Sequence, residues 1–318
     1  MKLQSKLISR SIRPVIAALV ILCSIAASGE PLAIAQANIV TDSGARAAKW
    51  LAAQQQADGG FTNGYSKTSD PSTTADVVVT LAVAKSPIPS ATTAYLAAKV
   101  AGGKLTTGEY AKVALAVKTA GLDPAKFGGM DLIAQIEAGY DTKTGVIGDG
   151  IFVHSTALLA LAAAKSPIPA KAITALTGFQ SAEGGWAFMG KGAPDVDTTA
   201  QAVLALIAVG LPANTGPAGR GLGYLHGLQN ADGGFPYQSP SQYGTDSNTN
   251  SSGLVAQAIV ASGDQPESWA QPMGNPLSVI ILQQQPSGAF AYQGSFPGDN
   301  IMATIGAVQA LYRYVPGK

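Results

Sequence analysis

The residues able to do chemistry are few, and their types exclude more than they allow. Cys23 is the only cysteine, and His154 and His226 are the only histidines. The two histidines fall in different helical stretches without the spacing of metal ligands, so neither a zinc site nor another metal or cofactor is expected. The glycine-rich turns lack the Lys-Ser/Thr that would hold a nucleotide phosphate. Carboxylates remain. Asp197, Asp246 and Asp299 could serve as acid and base in glycoside hydrolysis, yet no spacing singles out a pair. The densest cluster is Pro194-Asp195-Val196-Asp197-Thr198-Thr199-Ala200, which leads into an apolar stretch ending at Val209. At the plainest level Asp197 or Thr198 caps a helix there, accepting from N–H groups without partners and contributing about 1 kcal/mol. The carboxylate also suits the positive helix end.

Polar residues open the other apolar stretches as well. Asp76, Glu109, His154, Asp197, Asn250, and Asp299 with Asn300 stand at equivalent starts. If those stretches are helices side by side, their N-termini share one mouth, with unpaired N–H groups pointing into it and an apolar wall below. A concave apolar site with a few converging polar groups is the usual form of a small-molecule pocket. The expected ligand-binding set is Asp76, His154, Trp186, Asp195, Asp197, Thr198, Asn250, Asp299 and Asn300. Phe61, Tyr65, Phe188, Tyr237 and Tyr292 are further candidates for the rim.

Internal repetition supplies the elements that position these residues. Lys85-Ser86-Pro87-Ile88-Pro89 returns unchanged as Lys165-Ser166-Pro167-Ile168-Pro169. A second signal is Gln, three residues, Gly, one residue, then an aromatic. It occurs as Gln55, Gly59, Phe61; as Gln180, Gly184, Trp186; as Gln229, Gly233, Phe235; and as Gln284, Gly288, Phe290. Worn copies at Asp141, Gly145, Ile147 and near Gly102-Gly103 bring the turns to six, roughly 40 to 55 residues apart, as in repeat architectures. An amphipathic segment such as 45–55 or 220–229 precedes each turn. A more uniformly apolar one follows: 74–84, 155–164, 198–209, 253–261 and 303–312. One-faced helices lie outside and all-round apolar helices are buried. Six of each predict an all-α closed double ring, with an open solenoid as the competing arrangement. The Gln is expected to bond the end of the next helix, and the aromatic to pack under the turn.

Residues 1–37 read as a targeting segment. Lys2, Lys6, Arg10 and Arg13 precede an apolar run from Pro14 to Ser28 of roughly 15 residues, short of the ~20 a spanning helix needs. Ala35-Gln36-Ala37 is the small-x-small pattern of a cleavage site, placing the mature start at Asn38 and one domain over residues 38–318. The expected location is therefore extracellular, with retention at the outer face by an uncleaved segment as the alternative, and no stable membrane insertion after cleavage. Cys23 leaves with the signal, so a core alone must stabilise the remaining chain, and about 280 residues suffice for that. No Lys/Arg cluster marks a nucleic-acid partner.

The Gln-x3-Gly-x-aromatic turn resembles the repeat of squalene and oxidosqualene cyclases and of protein prenyltransferase beta subunits. The helical domain of the cobalamin carriers is similar. The resemblance implies an (α/α)6 toroid over the mature chain. Bacterial squalene cyclases carry Asp-x-Asp-Asp ahead of a similar helix, so by resemblance Asp197 stands where the alkene-protonating acid stands, with Thr198 in place of the last Asp. In the cobalamin carriers a Val-Asp-Thr stretch meets a large amphipathic ligand, and Val196-Asp197-Thr198 fits that pattern. The resemblance thus implies a module binding an isoprenoid- or corrinoid-like molecule, with a terpene cyclase using Asp197 as the enzyme alternative. A scaffold docking another exported protein is the third expectation.

Overall fold

The computed structural model describes residues 32–316. The basic, apolar leader lies outside the described residues up to residue 31, and the first helix runs unbroken through the expected mature start at Asn38. Twelve α-helices alternate between two shells. The outer shell comprises α1 (Leu32–Ala52), α3 (Ser90–Ala101), α5 (Leu132–Ala138), α7 (Ala170–Gly178), α9 (Gly216–Gly227) and α11 (Pro276–Leu282). The inner shell comprises α2 (Pro71–Val83), α4 (Thr107–Thr119), α6 (Ile151–Ala164), α8 (Val196–Ala208), α10 (Thr249–Ala261) and α12 (Ile301–Leu311). Each inner helix packs on the next, and α12 returns to pack on α2 and α1. The ring is closed, which excludes the open solenoid.

The recurring glutamines join neighbouring units. Gln55, Gln180, Gln229 and Gln284 each donate from Nε2 to the glycine carbonyl of their own turn. The same nitrogen reaches the following outer segment: Thr92 Oγ1 at 2.6 Å, Pro217 O at 2.8 Å and Trp269 O at 2.7 Å. Gln284 donates to Ser43 O in α1 at 2.8 Å, so the last unit grips the first. Close contact makes the turn glycine obligatory. At Gly184, with φ of 99°, an added Cβ would stand 2.6 Å from Arg220 O. The aromatic two residues on is sealed beneath the turn: Phe61, Trp186, Phe235 and Phe290 are all fully buried.

A further bond repeats in four of the turns and decides the role of His154. The buried aromatic's N–H donates to a hydroxyl on its own inner helix: Phe61 to Thr74, Trp186 to Thr199, Phe235 to Ser252 and Phe290 to Thr304. In the third unit His154 stands in that hydroxyl's place. Its Nδ1 accepts from Ile147 N at 3.0 Å, and its Nε2 lies 3.0 Å from Ala172 O, to which it donates. His154 is therefore a buried strut and not the mouth residue the sequence suggested. Burial holds the imidazole below its ordinary pKa, although the bond to Ala172 opposes that shift. Its neutral form is thus the folded form, and its contribution is full above about pH 6.5 and lost as pH falls. His154→Ala strands a buried N–H and a carbonyl and is expected to lose about 2–4 kcal/mol in urea unfolding. His154→Thr, which restores the hydroxyl of the other units, is expected to lose clearly less.

All six inner helices end alike, which the sequence conceals. A left-handed residue follows each helix, and the next N–H bonds five residues back: Ser86 to Leu81, Leu122 to Val117, Ser166 to Leu161, Leu211 to Leu206, Asp264 to Ile259 and Tyr314 to Gln309. Gly121, Gly210 and Gly263 serve three of these ends, while Lys85, Lys165 and Arg313 adopt φ of 51–59° at the others. A side chain at such an angle costs on the order of 1 kcal/mol. Lys165→Gly is therefore expected to raise the unfolding free energy by about 1 kcal/mol, as denaturant midpoints will show.

Candidate functional site

The inner helices begin two to four residues earlier than their apolar runs suggest, because the caps lie ahead of those runs. Asp70, Asp195, Asn248 and Asn300 each accept from the N–H three residues on, at 2.7–2.9 Å. Thr106 forms a reciprocal capping box with Glu109. Asp195, and not Asp197 or Thr198, is therefore the cap of α8. Thr198 is buried and donates its N–H to that cap. Asn300 is likewise a cap, and exposed Asp299 accepts from Ser287 Oγ at 2.7 Å. Glu109 reaches back to Thr106 N at 2.7 Å. Trp186 is sealed in the core with Nε1 donating to Leu176 O at 2.7 Å, so it does not belong to the site.

The ring interior is read from two stations, the second and sixth residues after each cap. Ser72, Gly108, Phe152, Asp197, Asn250 and Met302 occupy the first station and are half-buried, whereas most of their helical neighbours are buried. Asp76, Lys112, Thr156, Gln201, Leu254 and Gly306 occupy the second. Asp76 thus lies one turn below the mouth, where its Oδ2 accepts from Lys112 Nζ at 2.6 Å. Gln201 Nε2 donates to Thr156 Oγ1, and Gln309 Nε2 to Thr80 Oγ1, both at 3.0 Å. The expected apolar wall is consequently a mixed one, with a belt of polar bonds between adjacent inner helices. At the far end Tyr314 packs against the core, its hydroxyl 3.3 Å from Thr119 Oγ1.

A hollow of 310 Å³ opens at the mouth between α2, α4 and α6. Phe152, Val153, Phe188 and Met189 give it an apolar side; Ser72, Glu109, Lys112, Asp149 and Thr156 give it a polar one. The Phe152 and Phe188 rings stand 6.0 Å apart, tilted by 32°. A larger groove of 850 Å³ runs outside the ring between the fifth and sixth turns. Its polar groups largely satisfy one another, with Asn230 bonded to Thr245 and Ser247, and Ser247 to Asp232.

Three of the aromatics that the sequence suggests for the rim stand two residues beyond a buried aromatic. Phe188, Tyr237 and Tyr292 lie over the preceding inner helices, their carbonyls accepting from Ile151 N, Val196 N and Thr249 N at 2.8–2.9 Å. The recurring aromatic-x-aromatic spacing in three turns was the available signal. These contacts and the caps consume N–H groups that were expected to face the mouth unpaired. Tyr65, by contrast, is 86% exposed.

Three of the seven shielded side-chain oxygens without a partner among the described residues lie at the starts of α8 and α10. Asp197 Oδ1, Thr198 Oγ1 and Asn250 Oδ1 are shielded from solvent without a hydrogen-bond partner. Burial pushes the Asp197 carboxyl up to about 7; the Ser251 hydroxyl pulls it down and the Asp195 charge adds to the rise. Asp195 is also raised by burial, against several N–H groups that favour its charge. Burial and the two aspartates push the Tyr237 phenol up to about 12, and Tyr292 is raised by burial and by Asp197. Neutral phenols therefore adjoin a carboxyl that exchanges its proton near neutrality. Buried groups without partners are rare, and each calls for water or a ligand.

No family model matches the chain, and no curated protein does. Solved structures do. It is similar to the type II terpene cyclase MstE from Scytonema, with a TM-score of 0.67 at 14% identity over 88% of this chain and 100% of that one. A variant of that enzyme in complex with geranylgeranyl dihydroxybenzoate gives 0.66 at 15% identity, covering 89% and 99%. A wild-type glycosidase gives 0.59 at 15% identity, covering 87% and 96%. The chain has the terpenoid-cyclase type of α/α toroid, and at these identities the likeness extends to the fold.

Proposed function

We propose that this protein is an exported binding module that holds an amphipathic small molecule, isoprenoid-like in size and character, in the mouth of its ring. The observation that carries the reading is the hollow bounded by Phe152 and Phe188 at the mouth of the ring, where Asp197 and Asn250, at the equivalent stations of α8 and α10, each carry an oxygen without a partner. An apolar body against the aromatic side and a polar head at the oxygens would satisfy both. Volume favours the isoprenoid over the corrinoid. The hollow holds the equivalent of roughly ten waters, far less than a macrocycle with its nucleotide tail. MstE, whose fold is similar, is seen with a geranylgeranyl substrate, which supports the same class.

The cyclase reading has one observation in its favour: Asp197 keeps a proton close to neutral pH. The direction of that shift opposes the chemistry. Protonating an isolated alkene demands a strong, preorganised acid, and burial beside Asp195 makes Asp197 hold its proton more tightly. No residue at the Thr198 position supplies the further carboxyl of the cyclase pattern. Binding is the better account.

Native mass spectrometry of gently purified protein, before and after addition of farnesol, separates the readings. The account expects a bound mass that is released on denaturation, and no isomerised product from the polyene alcohol. A protein that keeps its bare mass in both samples contradicts binding, and cyclised product establishes the enzyme.

A further inference from the structure

We infer that the molecule held at the mouth carries a positive charge: it is an amphipathic cation, such as an alkyl ammonium, whose head sits between Asp197 and the rings of Tyr237 and Tyr292. The inference rests on the binding reading above and adds the chemical class of the head group. Three observations on the same few residues converge on it. First, the backbone donors at these helix starts are already engaged. Val196 N–H goes to Tyr237 O, Thr198 N–H to Asp195 Oδ1 and Thr199 N–H to Asp195 O in α8; Thr249 and Ser251 N–H are engaged likewise in α10. Second, two buried acceptors there stand without partners, Asp197 Oδ1 and Asn250 Oδ1. An anion gains nothing from those carbonyl and carboxyl oxygens; a cation gains from both.

Third, the charge and the aromatic faces agree in sign. Among the described residues Lys112 is the one cation lining the hollow, and Asp76 neutralises it at 2.6 Å. Glu109 and Asp149 line the hollow, and Asp197 stands at the first interior station of the next inner helix, so the mouth is acidic. A cleft lined by one sign of charge concentrates the opposite ion. Aromatic faces attract cations through their quadrupoles, and aromatic cages are the familiar receptors for quaternary ammonium groups. The Tyr237 and Tyr292 carbonyls accept from Val196 N at 2.9 Å and Thr249 N at 2.8 Å, which sets these two residues over the starts of α8 and α10.

The head-group charge also predicts a pH response. Asp195 from the cap and the Tyr237 and Tyr292 phenols from the covering turns are the titratable groups that face Asp197. From the packed helices, α10 carries no charged side chain, and α6 presents His154 with both ring nitrogens already bonded. On α9, Arg220 is turned outward to Gln180, and Tyr224 bonds Pro194 O. Asp197 thus passes from neutral to charged near pH 7 with no counter-charge among the described residues, and the charged form attracts a cation more strongly than the neutral one.

Three probes with one tail test this: dodecyltrimethylammonium, dodecan-1-ol and dodecanoate, titrated into the full protein below their micelle concentrations. At pH 8 the ammonium is expected to bind about tenfold more tightly than the alcohol, and dodecanoate more weakly than both. Lowering the pH to 6 should erase most of the ammonium advantage and leave the alcohol unchanged. Asp197→Asn should do the same at pH 8, with the alcohol affinity reporting that the site is intact. Equal binding of ammonium and alcohol, tighter binding of dodecanoate, or an advantage that survives Asp197→Asn overturns the cation and leaves the binding site standing. Failure of all three probes overturns the binding reading together with this inference.

Discussion

Asp197→Asn is expected to make the protein more stable at pH 8, by on the order of 2–4 kcal/mol. In the folded chain this carboxyl keeps its proton up to about pH 7, against an ordinary value of 3.8. Its folded pKa is raised, so its contribution is fully favourable below about pH 4. That contribution is lost as pH climbs through 7 and the buried charge forms. Asparagine resembles the protonated form and removes the loss. The upper end of the range is the full linkage for a shift of about three units, and the lower end allows for the partial solvent contact of the residue. Urea unfolding of both proteins from pH 4 to pH 8 checks it. The curves should nearly meet at pH 4 and diverge steadily up to pH 7; a constant gap, or a less stable variant at pH 8, refutes the burial of charge at this position. His154 titrates with the opposite sign and affects both proteins alike, so it drops out of the difference. A residue that destabilises its own fold at working pH is what a binding site requires and packing does not.

The other large effect concerns the frame. Trp186 is fully buried, its ring against the α9 backbone at Gly221, where an added Cβ would meet it at 2.9 Å, and its Nε1 holds Leu176 O. Trp186→Ala removes that filling and strands the carbonyl, which should cost about 4–6 kcal/mol. For a domain of this size that corresponds to a melting temperature lower by roughly 10–20 °C. Trp186→Phe keeps most of the ring and should cost less than half as much. Because Trp186 serves the frame and not the mouth, Trp186→Phe should leave uptake of farnesol unchanged. A phenylalanine variant that is stable yet no longer takes up the ligand would return Trp186 to the site.

The architecture was legible because its joints repeat as residues. Each Gln-x3-Gly-x-aromatic turn performs three tasks at once, so selection for geometry left the same letters in four places. Where another residue performs the task, the repeat disappears from the sequence. Lys165 and Arg313 take the left-handed angle that Gly210 and Gly263 take elsewhere. His154 takes the bond that threonine or serine takes in four other turns. Its chemistry as a letter suggested a ligand contact, and its partners make it a strut.

The site was legible in part. Asp197 and Asn250 stand at the first interior station of their helices, and Asp195 precedes Asp197 as the cap. Asp76 lies one turn deeper, and Trp186, His154, Thr198, Asp299 and Asn300 serve the frame, caps or outer surface. The apolar runs marked the helices but not their starts, because polar caps and first turns precede them. Once Asp70, Thr106, Gly150, Asp195, Asn248 and Asn300 are aligned as the residues before each inner helix, the second and sixth positions after them give the interior directly. Lys112, Thr156 and Gln201 become visible only in that register.

The account turns on whether the mouth of the ring admits a ligand. Ser72 lines the hollow at the first interior station of α2. Equilibrium dialysis of farnesol against the wild-type protein and Ser72→Trp, with circular dichroism to verify intact helices, measures this directly. The prediction is saturable binding by the wild-type protein and at least about a tenfold loss when the indole fills the hollow. Equal uptake by the two proteins, or none by either, would contradict it.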